Sequence, residues 1–356
     1  MARKIWKGNE AVAAAAIQAG CDFYAGYPIT PQNEVMELLS WKLPESGGTF
    51  VQAESELGAI NMVKGAAVAG ARALTATSAP GLALMQEGIA SMCTCRVPAV
   101  LVDMQRAVDF VNPGQYDYNI ATKALGHSGL HALVYTASSI QEMMEVTIMA
   151  FQKAEQYRTP VYLLFDGMLG QMMEQAELPE HVPALPERDW TVGPNPDYAR
   201  KPRFIMDSPA MKIKGTAGFD ANEEKLKNLD ALFESWTETE VIYKEYFMED
   251  AEYVVTAYGS SARIALDAVK ELRADGKHVG LFQPVSLFPS PQKQYAAFKT
   301  KGIKGVVTAE MSPISQFHND VCLYVGDSLP VVRYSRCGGN IVAPSEIIAA
   351  VKSMMG

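Results

Sequence analysis

The chain is expected to be an α/β protein built on two doubly wound, mostly parallel sheets, and three observations point there. Short apolar runs alternate with helical patterns through the first half and again after residue 250. Between these blocks, residues 178–240 are rich in proline and charge and show little periodicity. Hydrophobic residues fill 48% of 356 positions against 20% charged, the balance of a globular chain long enough for two domains. The expected division is a first domain over 1–177, a Pro-rich linker over 178–240 and a second domain over 241–356.

In the first block, residues 8–20 are Ala-rich and helical, with Gly20 as the stop. A strand at 21–25 ends in a Gly-Tyr-Pro turn, and a helix restarts at Pro31. Residues 55–70 read as a helix with Ser55 as N-cap. Strands at 71–77, 97–104 and 161–165 frame helices at 80–91 and 138–156, the latter opened by Ser138, Ser139 and Glu142 in the manner of a capping box. The second block repeats the alternation, with strands at 251–258, 278–282, 305–309 and 331–334 and helices at 260–275, 292–300 and 315–325.

Composition excludes several classes. The net charge of −9 leaves no basic stripe for nucleic acid, so no such partner is expected. No apolar run is long enough to span a bilayer, so no membrane partner is expected either. The opening MARKIWKGNE lacks the apolar core of a secretion signal, and a cytoplasmic location is expected. The five cysteines form no C-x-x-C pair, so no iron–sulfur cluster is expected on this chain, and Cys93 and Cys95 read as buried thiols. G-x-G-x-x-G, P-loop, G-x-S-x-G and H-E-x-x-H motifs are absent. His127 and His131 are four apart but have no evident third ligand, so no metal site is assigned.

Four segments look out of place for plain structure. They are Gly26-Tyr27-Pro28-Ile29-Thr30-Pro31, the stretch from Gln52 to Ala59 with Glu54 and Glu56, the loop Thr77-Ser78-Ala79-Pro80-Gly81, and Arg106 after a buried strand. All are expected at one sheet edge, where open α/β sheets place ligands. Each also has a plain reading. Glu54 and Glu56 suit a helix N-terminus, Thr30 suits an N-cap, Ser78 suits a turn, and Arg106 suits a surface ion pair.

Taken in order, GYPITP, QAESELGA, ALTATSAPGLALMQE and VDMQR resemble the thiamine pyrimidine-binding domain of the 2-oxoacid:ferredoxin oxidoreductase alpha subunits. FDGMLGQMME, YGSSARIALDAV, PVSLFP and the closing CGGN resemble the rest of that subunit, and the second block is similar to a transketolase C-terminal-like domain. The branch it most resembles is the 2-oxoisovalerate (branched-chain) one, through QEMMEVTIMAFQKAEQYRTPVYLL and DGMLGQMME.

The resemblance implies oxidative decarboxylation of a 2-oxo acid with coenzyme A, giving acyl-CoA, CO2 and reduced ferredoxin. It implies Glu56 as the carboxyl that activates the thiamine diphosphate pyrimidine, with Glu54 as support, and Thr30 and Arg106 on the substrate carboxylate. Pro28, Ile29 and Ser78 would line the cofactor. Gly259 and Ser260 open a helix that could cradle a coenzyme A phosphate, or be only a cap. No Gly-Asp-Gly motif for the diphosphate and Mg²⁺ is present; Asp166-Gly167-Met168 does not continue correctly. The resemblance assigns that half, and the nearest [4Fe-4S] cluster, to a beta subunit, with gamma and ferredoxin-like delta subunits and ferredoxin as further partners. Where many relatives carry a Gly-Gly-Pro-rich loop after the arginine, this chain reads Ala107-Val-Asp-Phe-Val-Asn-Pro-Gly-Gln115. That departure keeps open other substrates, namely 2-oxoglutarate, pyruvate or an aryl 2-oxo acid, and also a non-catalytic scaffold subunit.

Overall fold

A computed structural model describes residues 3–107, 111–123, 125–126, 130–180, 182–185, 191 and 217–356. The first block comprises strand β1 (Lys4–Lys7), helix α1 (Gly8–Gln18), β2 (Phe23–Gly26), α2 (Asn33–Glu45), β3 (Thr49–Gln52) and α3 (Glu56–Ala69). It continues with β4 (Ala73–Thr77), α4 (Ala79–Cys95), β5 (Ala99–Gln105), α5 (Tyr118–Thr122), β6 (Leu133–Tyr135), α6 (Ile140–Tyr157), β7 (Pro160–Asp166), α7 (Gly167–Gln171) and β8 (Met173–Ala176). Helix α8 (Ala217–Thr239) follows, then β9 (Tyr243–Tyr246), β10 (Tyr253–Thr256), α9 (Gly259–Ala274), β11 (Val279–Pro284), β12 (Ser286–Phe288) and α10 (Gln292–Ala296). The chain closes with β13 (Gly305–Glu310), α11 (Gln316–Val325), β14 (Val331–Ser335) and α12 (Pro344–Met355).

Two mostly parallel sheets result. The larger has the order β12-β6-β7-β5-β4-β2-β3, the smaller β14-β13-β10-β11-β9, and β1 pairs antiparallel with β8 apart from both. Strands β5 and β7 are buried at every position, which is why they read as continuous apolar runs. Because β2, β3, β4, β5 and β7 run parallel, their C-terminal ends share one edge.

Local chemistry sets the helix starts at that edge. Ser55, extended at φ −163°, accepts from Gly58 N–H at 3.1 Å and starts α3. Ser139 caps α6 by accepting from Glu142 N–H at 3.2 Å, and Glu142 returns to accept from Ser138 N–H at 2.8 Å.

Two expectations change. Residues 217–239, within the stretch read as a linker, form α8, a helix of 23 residues. Its apolar side chains are few but correctly spaced: Leu229, Phe233 and Trp236 lie on one face and are buried. Trp236 packs at 5.4 Å from the Tyr157 ring, which docks the helix on the first block. The blocks are also stitched together. Just after β11 the chain crosses over, and β12 joins the first sheet antiparallel to β6, with Thr136 N–H donating to Val285 at 2.8 Å. A three-residue strand carries too little periodicity to show its partner in sequence.

Candidate active site

The shared edge brings the expected residues into one neighbourhood but divides them between two places. Thr30 and Arg106 line a cleft of about 450 Å³ with Pro31, Gln105, Val111, Asn112, Pro113, Met168 and Met172. Glu56 and Ser78 lie outside its lining, on the α3–α4 side of the edge.

The turn carrying Thr30 is held from below. Asn9, fully buried at the start of α1, donates to the Pro31 carbonyl at 2.6 Å, and Gln171 donates to the same oxygen at 3.0 Å. Both also donate to Glu34, which pairs with Lys7 at 2.5 Å. Burial works to raise the Glu34 carboxyl, but its bonds from Lys7, Asn9 and Gln171 together hold it below the ordinary range. Above this support Pro28 and Thr30 are exposed and Ile29 half-buried, so these three face outward from the edge.

Arg106 is half-buried, its Nε is buried, and it makes no hydrogen bond or ion pair among the described residues. Beside it stand Asp103 and Asp117, and both Asp103 carboxyl oxygens lack a hydrogen-bond partner. Burial pushes Asp103 well above the ordinary carboxylate range and Asp117 to about 6. A pair so buried keeps a proton near neutral pH. The pair then carries one negative charge, which offsets Arg106 without bonding it, and the guanidinium donors, unbonded among the described residues, remain available to an anion in the cleft.

Glu56 is buried at 6% exposure in the first turn of α3. Its carboxyl presses against Gly81 of α4. A Cβ on Gly81 would stand 2.6 Å from Glu56 Oε1 and 2.1 Å from Thr77 Oγ1, so glycine is what admits both oxygens. Thr77 Oγ1 is buried and unpartnered. A carboxyl and an unpaired hydroxyl crowded together at a sheet edge fit a heteroaromatic nitrogen and its amino group. Glu54, in contrast, is exposed and its carboxylate folds back over Gly58 at the helix start, the place of a dipole-complementing charge. Ser78 is fully buried and donates to the Met104 carbonyl at 2.7 Å, tying the exit of β4 to β5. Its hydroxyl proton is committed there, so Ser78 acts as a tie between strands with no hydroxyl donor to spare.

The start of α9 is filled from within. Ser260 N–H donates to Asp166 Oδ2 at 2.7 Å, so this carboxylate stands where an external phosphate would have to sit. His131 stacks on Phe288 at 4.1 Å, away from the Thr30–Arg106 cleft, and His127 lies outside the described residues. Among the described residues no group of three His, Cys, Asp or Glu is placed to hold a metal.

Residues 14–239 match the family model described as pyruvate flavodoxin/ferredoxin oxidoreductase, thiamine diphosphate-binding, and residues 251–347 match pyruvate:ferredoxin oxidoreductase core domain II. The chain belongs to the 2-oxoacid:ferredoxin oxidoreductase family. It is thus a subunit of a thiamine-diphosphate oxidoreductase. Among relatives of this oxidoreductase subunit, the ketoisovalerate oxidoreductase subunit VorB of Methanothermobacter thermautotrophicus is 40% identical over 100% of this chain and 99% of its own length. The 2-oxoglutarate synthase subunit KorA of Methanocaldococcus jannaschii is 32% identical over 97% of this chain and 98% of its own. The solved 2-oxoglutarate:ferredoxin oxidoreductase of Magnetococcus marinus superposes with a TM-score of 0.87 at 26% identity, over 99% of this chain. This chain spans 65% of that longer one. A split-gene transketolase shares the fold at a TM-score of 0.60 and 12% identity. Relatives that are named as subunits imply partner chains here as well.

The searching signals missed in sequence were polar residues inside apolar surroundings. Asn9 sits in an Ala-rich helix start, Asp103 inside an apolar strand, and Asp166 at the end of another.

Proposed function

We propose that this chain provides the pyrimidine-side half of a thiamine-diphosphate site and the carboxylate-binding groups for a branched-chain 2-oxo acid of the 2-oxoisovalerate type. The observation that carries the substrate is the composition of the cleft. Beside Thr30 and Arg106, Val111, Pro113, Met168 and Met172 line it with aliphatic surface, and its amides, Asn33, Gln105, Asn112 and Gln171, carry no charge. Its other charged lining residue is Glu34, already bonded to Lys7. A second substrate carboxylate would have no cation among the described lining residues, and burying it unpaired is costly. An aliphatic side chain loses nothing there. The similarity to a ketoisovalerate oxidoreductase subunit supports the same choice.

The roles follow from position. Glu56 would hydrogen-bond the pyrimidine, with Thr77, Pro28, Ile29 and the backbone around Ser78 lining that ring. Thr30 would donate a hydroxyl, and Arg106 would meet the substrate carboxylate with paired donors. Thiamine diphosphate, when bound, supplies the carbon nucleophile and electron sink for decarboxylation. Exposed Leu57, Met62 and Leu84 on α3 and α4 flank Glu56 and suit a partner that brings the diphosphate, Mg²⁺ and the nearest [4Fe-4S] cluster. That partner is a beta subunit, with gamma and delta subunits passing electrons to ferredoxin and coenzyme A accepting the acyl group. The complex, purified anaerobically, should reduce a low-potential acceptor with branched 2-oxo acids and coenzyme A, and more slowly with 2-oxoglutarate. Glu56→Gln should cut turnover by about a hundredfold or more while the subunits still assemble. Full turnover in Glu56→Gln, or a preference for 2-oxoglutarate, would overturn the respective assignment.

A further inference from the structure

The loop that follows Arg106 is anchored by Gln115, a residue outside the lining of the cleft. Ala107 N–H donates to the Asn112 carbonyl at 2.9 Å, so Asn112 is held directly against the root of the loop. Gly114 then lies directly on the Arg106 peptide: a Cβ there would stand 2.7 Å from Ala107 N and 3.0 Å from the Arg106 carbonyl carbon. The next residue, Gln115, is fully buried, and its amide is spent on the second block.

Gln115 N–H donates to the Met311 carbonyl at 2.6 Å, and its Oε1 accepts from Met311 N–H at 3.0 Å and from Ser261 Oγ at 2.8 Å. Its Nε2 donates to the Tyr258 carbonyl at 3.0 Å and to Asp166 Oδ2 at 3.4 Å. Met311 follows β13, while Tyr258 and Ser261 belong to the start of α9; Asp166 ends β7 of the first sheet. One side chain thus ties the root of Arg106 to both sheets. Only an amide offers two donors and two acceptor sites in one plane. A carboxylate here would face Asp166 and the Tyr258 carbonyl with no proton to give.

Arg106 has no hydrogen bond or ion pair of its own among the described residues, so the direction of its guanidinium is set by where its backbone is held. We propose that Gln115 is a positioning residue for substrate recognition, fixing the Arg106 loop in register with the second domain so that the seat of that domain sets the affinity for the substrate carboxylate. The proposal rests on Arg106 as the carboxylate-binding group. A displacement of about 1 Å at such a contact is enough to cost up to about a hundredfold.

The test is a double-mutant cycle on the assembled complex, with KM for the 2-oxo acid, kcat, thiamine-diphosphate affinity and thermal midpoint read separately. Gln115→Met keeps the volume and removes all four side-chain bonds. It should raise KM for the 2-oxo acid by about tenfold to a hundredfold, with cofactor affinity within about twofold of the parent. Arg106→Lys should raise the same KM, and the double variant should be little worse than Arg106→Lys alone, because one residue acts through the other. Ser261→Ala, which removes one donor only, should shift KM in the same direction by a smaller factor, and it serves if Gln115→Met does not assemble. An unchanged KM in both Gln115→Met and Ser261→Ala, or fully additive effects with Arg106→Lys, would overturn the positioning role. If Arg106→Lys itself leaves KM unchanged, the carboxylate assignment fails first and this proposal falls with it; if only Arg106→Lys raises KM, the assignment stands and the positioning role alone is wrong.

Discussion

Gly81→Ala gives the sharpest check on where Glu56 points, because two physical effects pull in opposite directions. Alanine is the better helix former, and at this third position of α4 the change would stabilise by up to about 1 kcal/mol if space allowed. Space does not allow it. The added Cβ would stand 2.1 Å from Thr77 Oγ1, 2.6 Å from Glu56 Oε1 and 2.7 Å from Glu56 Cγ, all inside the 3.0 Å that real Cβ contacts respect. Clearing those contacts requires Thr77 Oγ1 to move by about 1 Å and the Glu56 carboxyl by about half that in a close-packed edge. Overpacking of this kind costs about 1–3 kcal/mol, which outweighs the helix gain. A shift of about half an ångström at a group that must meet a cofactor nitrogen should lower kcat/KM by about tenfold and at most about a hundredfold. The assay is acceptor reduction by the complex with a branched 2-oxo acid and coenzyme A, alongside a thermal melt. Gly88→Ala is the control. Its Cβ meets Ile60 Cγ2 at 2.6 Å between the same two helices, so it should cost stability but leave kcat/KM near the parent value. Full activity in Gly81→Ala, or equal losses in both variants, would refute the placement of Glu56 as the cofactor-facing acid.

Two further outcomes concern the frame. Trp236→Ala should destabilise the chain by about 3–5 kcal/mol, since the ring is fully buried against Tyr157 and Phe233; a denaturant melt showing no change would mean that α8 is a dispensable strap. Burial pushes Glu310 up to about 7 even though it accepts from Phe317 and His318 N–H groups. A carboxyl raised in the folded state favours folding at low pH, and that contribution is lost as pH rises through about 7. Urea melts of the full chain should therefore lose up to about 3 kcal/mol between about pH 5 and pH 8, and Glu310→Gln should flatten most of that slope. Asp117, raised to about 6, adds a residue of the same sign. A parent stability that rises over this range would contradict the burial argument.

Strand and helix order was legible because buried parallel strands are apolar throughout, as β5 and β7 are, and because caps such as Ser55 and Ser139 announce helix starts. What was not legible had weak or nonlocal signals. Helix α8 buries one narrow stripe on an otherwise polar surface, so its charges mask its period. The β1–β8 pair is as weak, since β1 has four residues and no fully buried side chain, whereas α12 carried a readable signal in its Pro344 start and its buried Ile347, Ile348 and Val351. At the site, Thr30 and Arg106 could be placed on one edge from order alone, but their supports could not. Asn9 reaches Pro31 across 22 residues, and Gln115 reaches Ser261 across 146. No local pattern encodes such pairings.

The bonds made by residues 115–118 account for the polar and aromatic side chains found there. A glycine-rich loop has no side chains with which to grip a neighbouring domain, and this one grips at several points. Besides Gln115, Tyr116 OH accepts from Gly338 N–H at 2.8 Å, Tyr118 OH donates to Asp320 at 2.8 Å, and the Tyr116 carbonyl accepts from Gln316 at 2.7 Å. Gly338 lies in the closing CGGN segment, Asp320 and Gln316 on α11, so the C-terminal half of the second block adds to the grip of Tyr258 and Ser261 from its first half. Ordering a loop costs backbone and rotamer entropy, and side chains bonded to the second block offset part of that cost. Residues 115–118 are therefore held by attachment to the second block. Any change that loosens that block against the first, even one remote from Thr30 and Arg106, should register first as weaker binding of the substrate carboxylate and only later as loss of the fold.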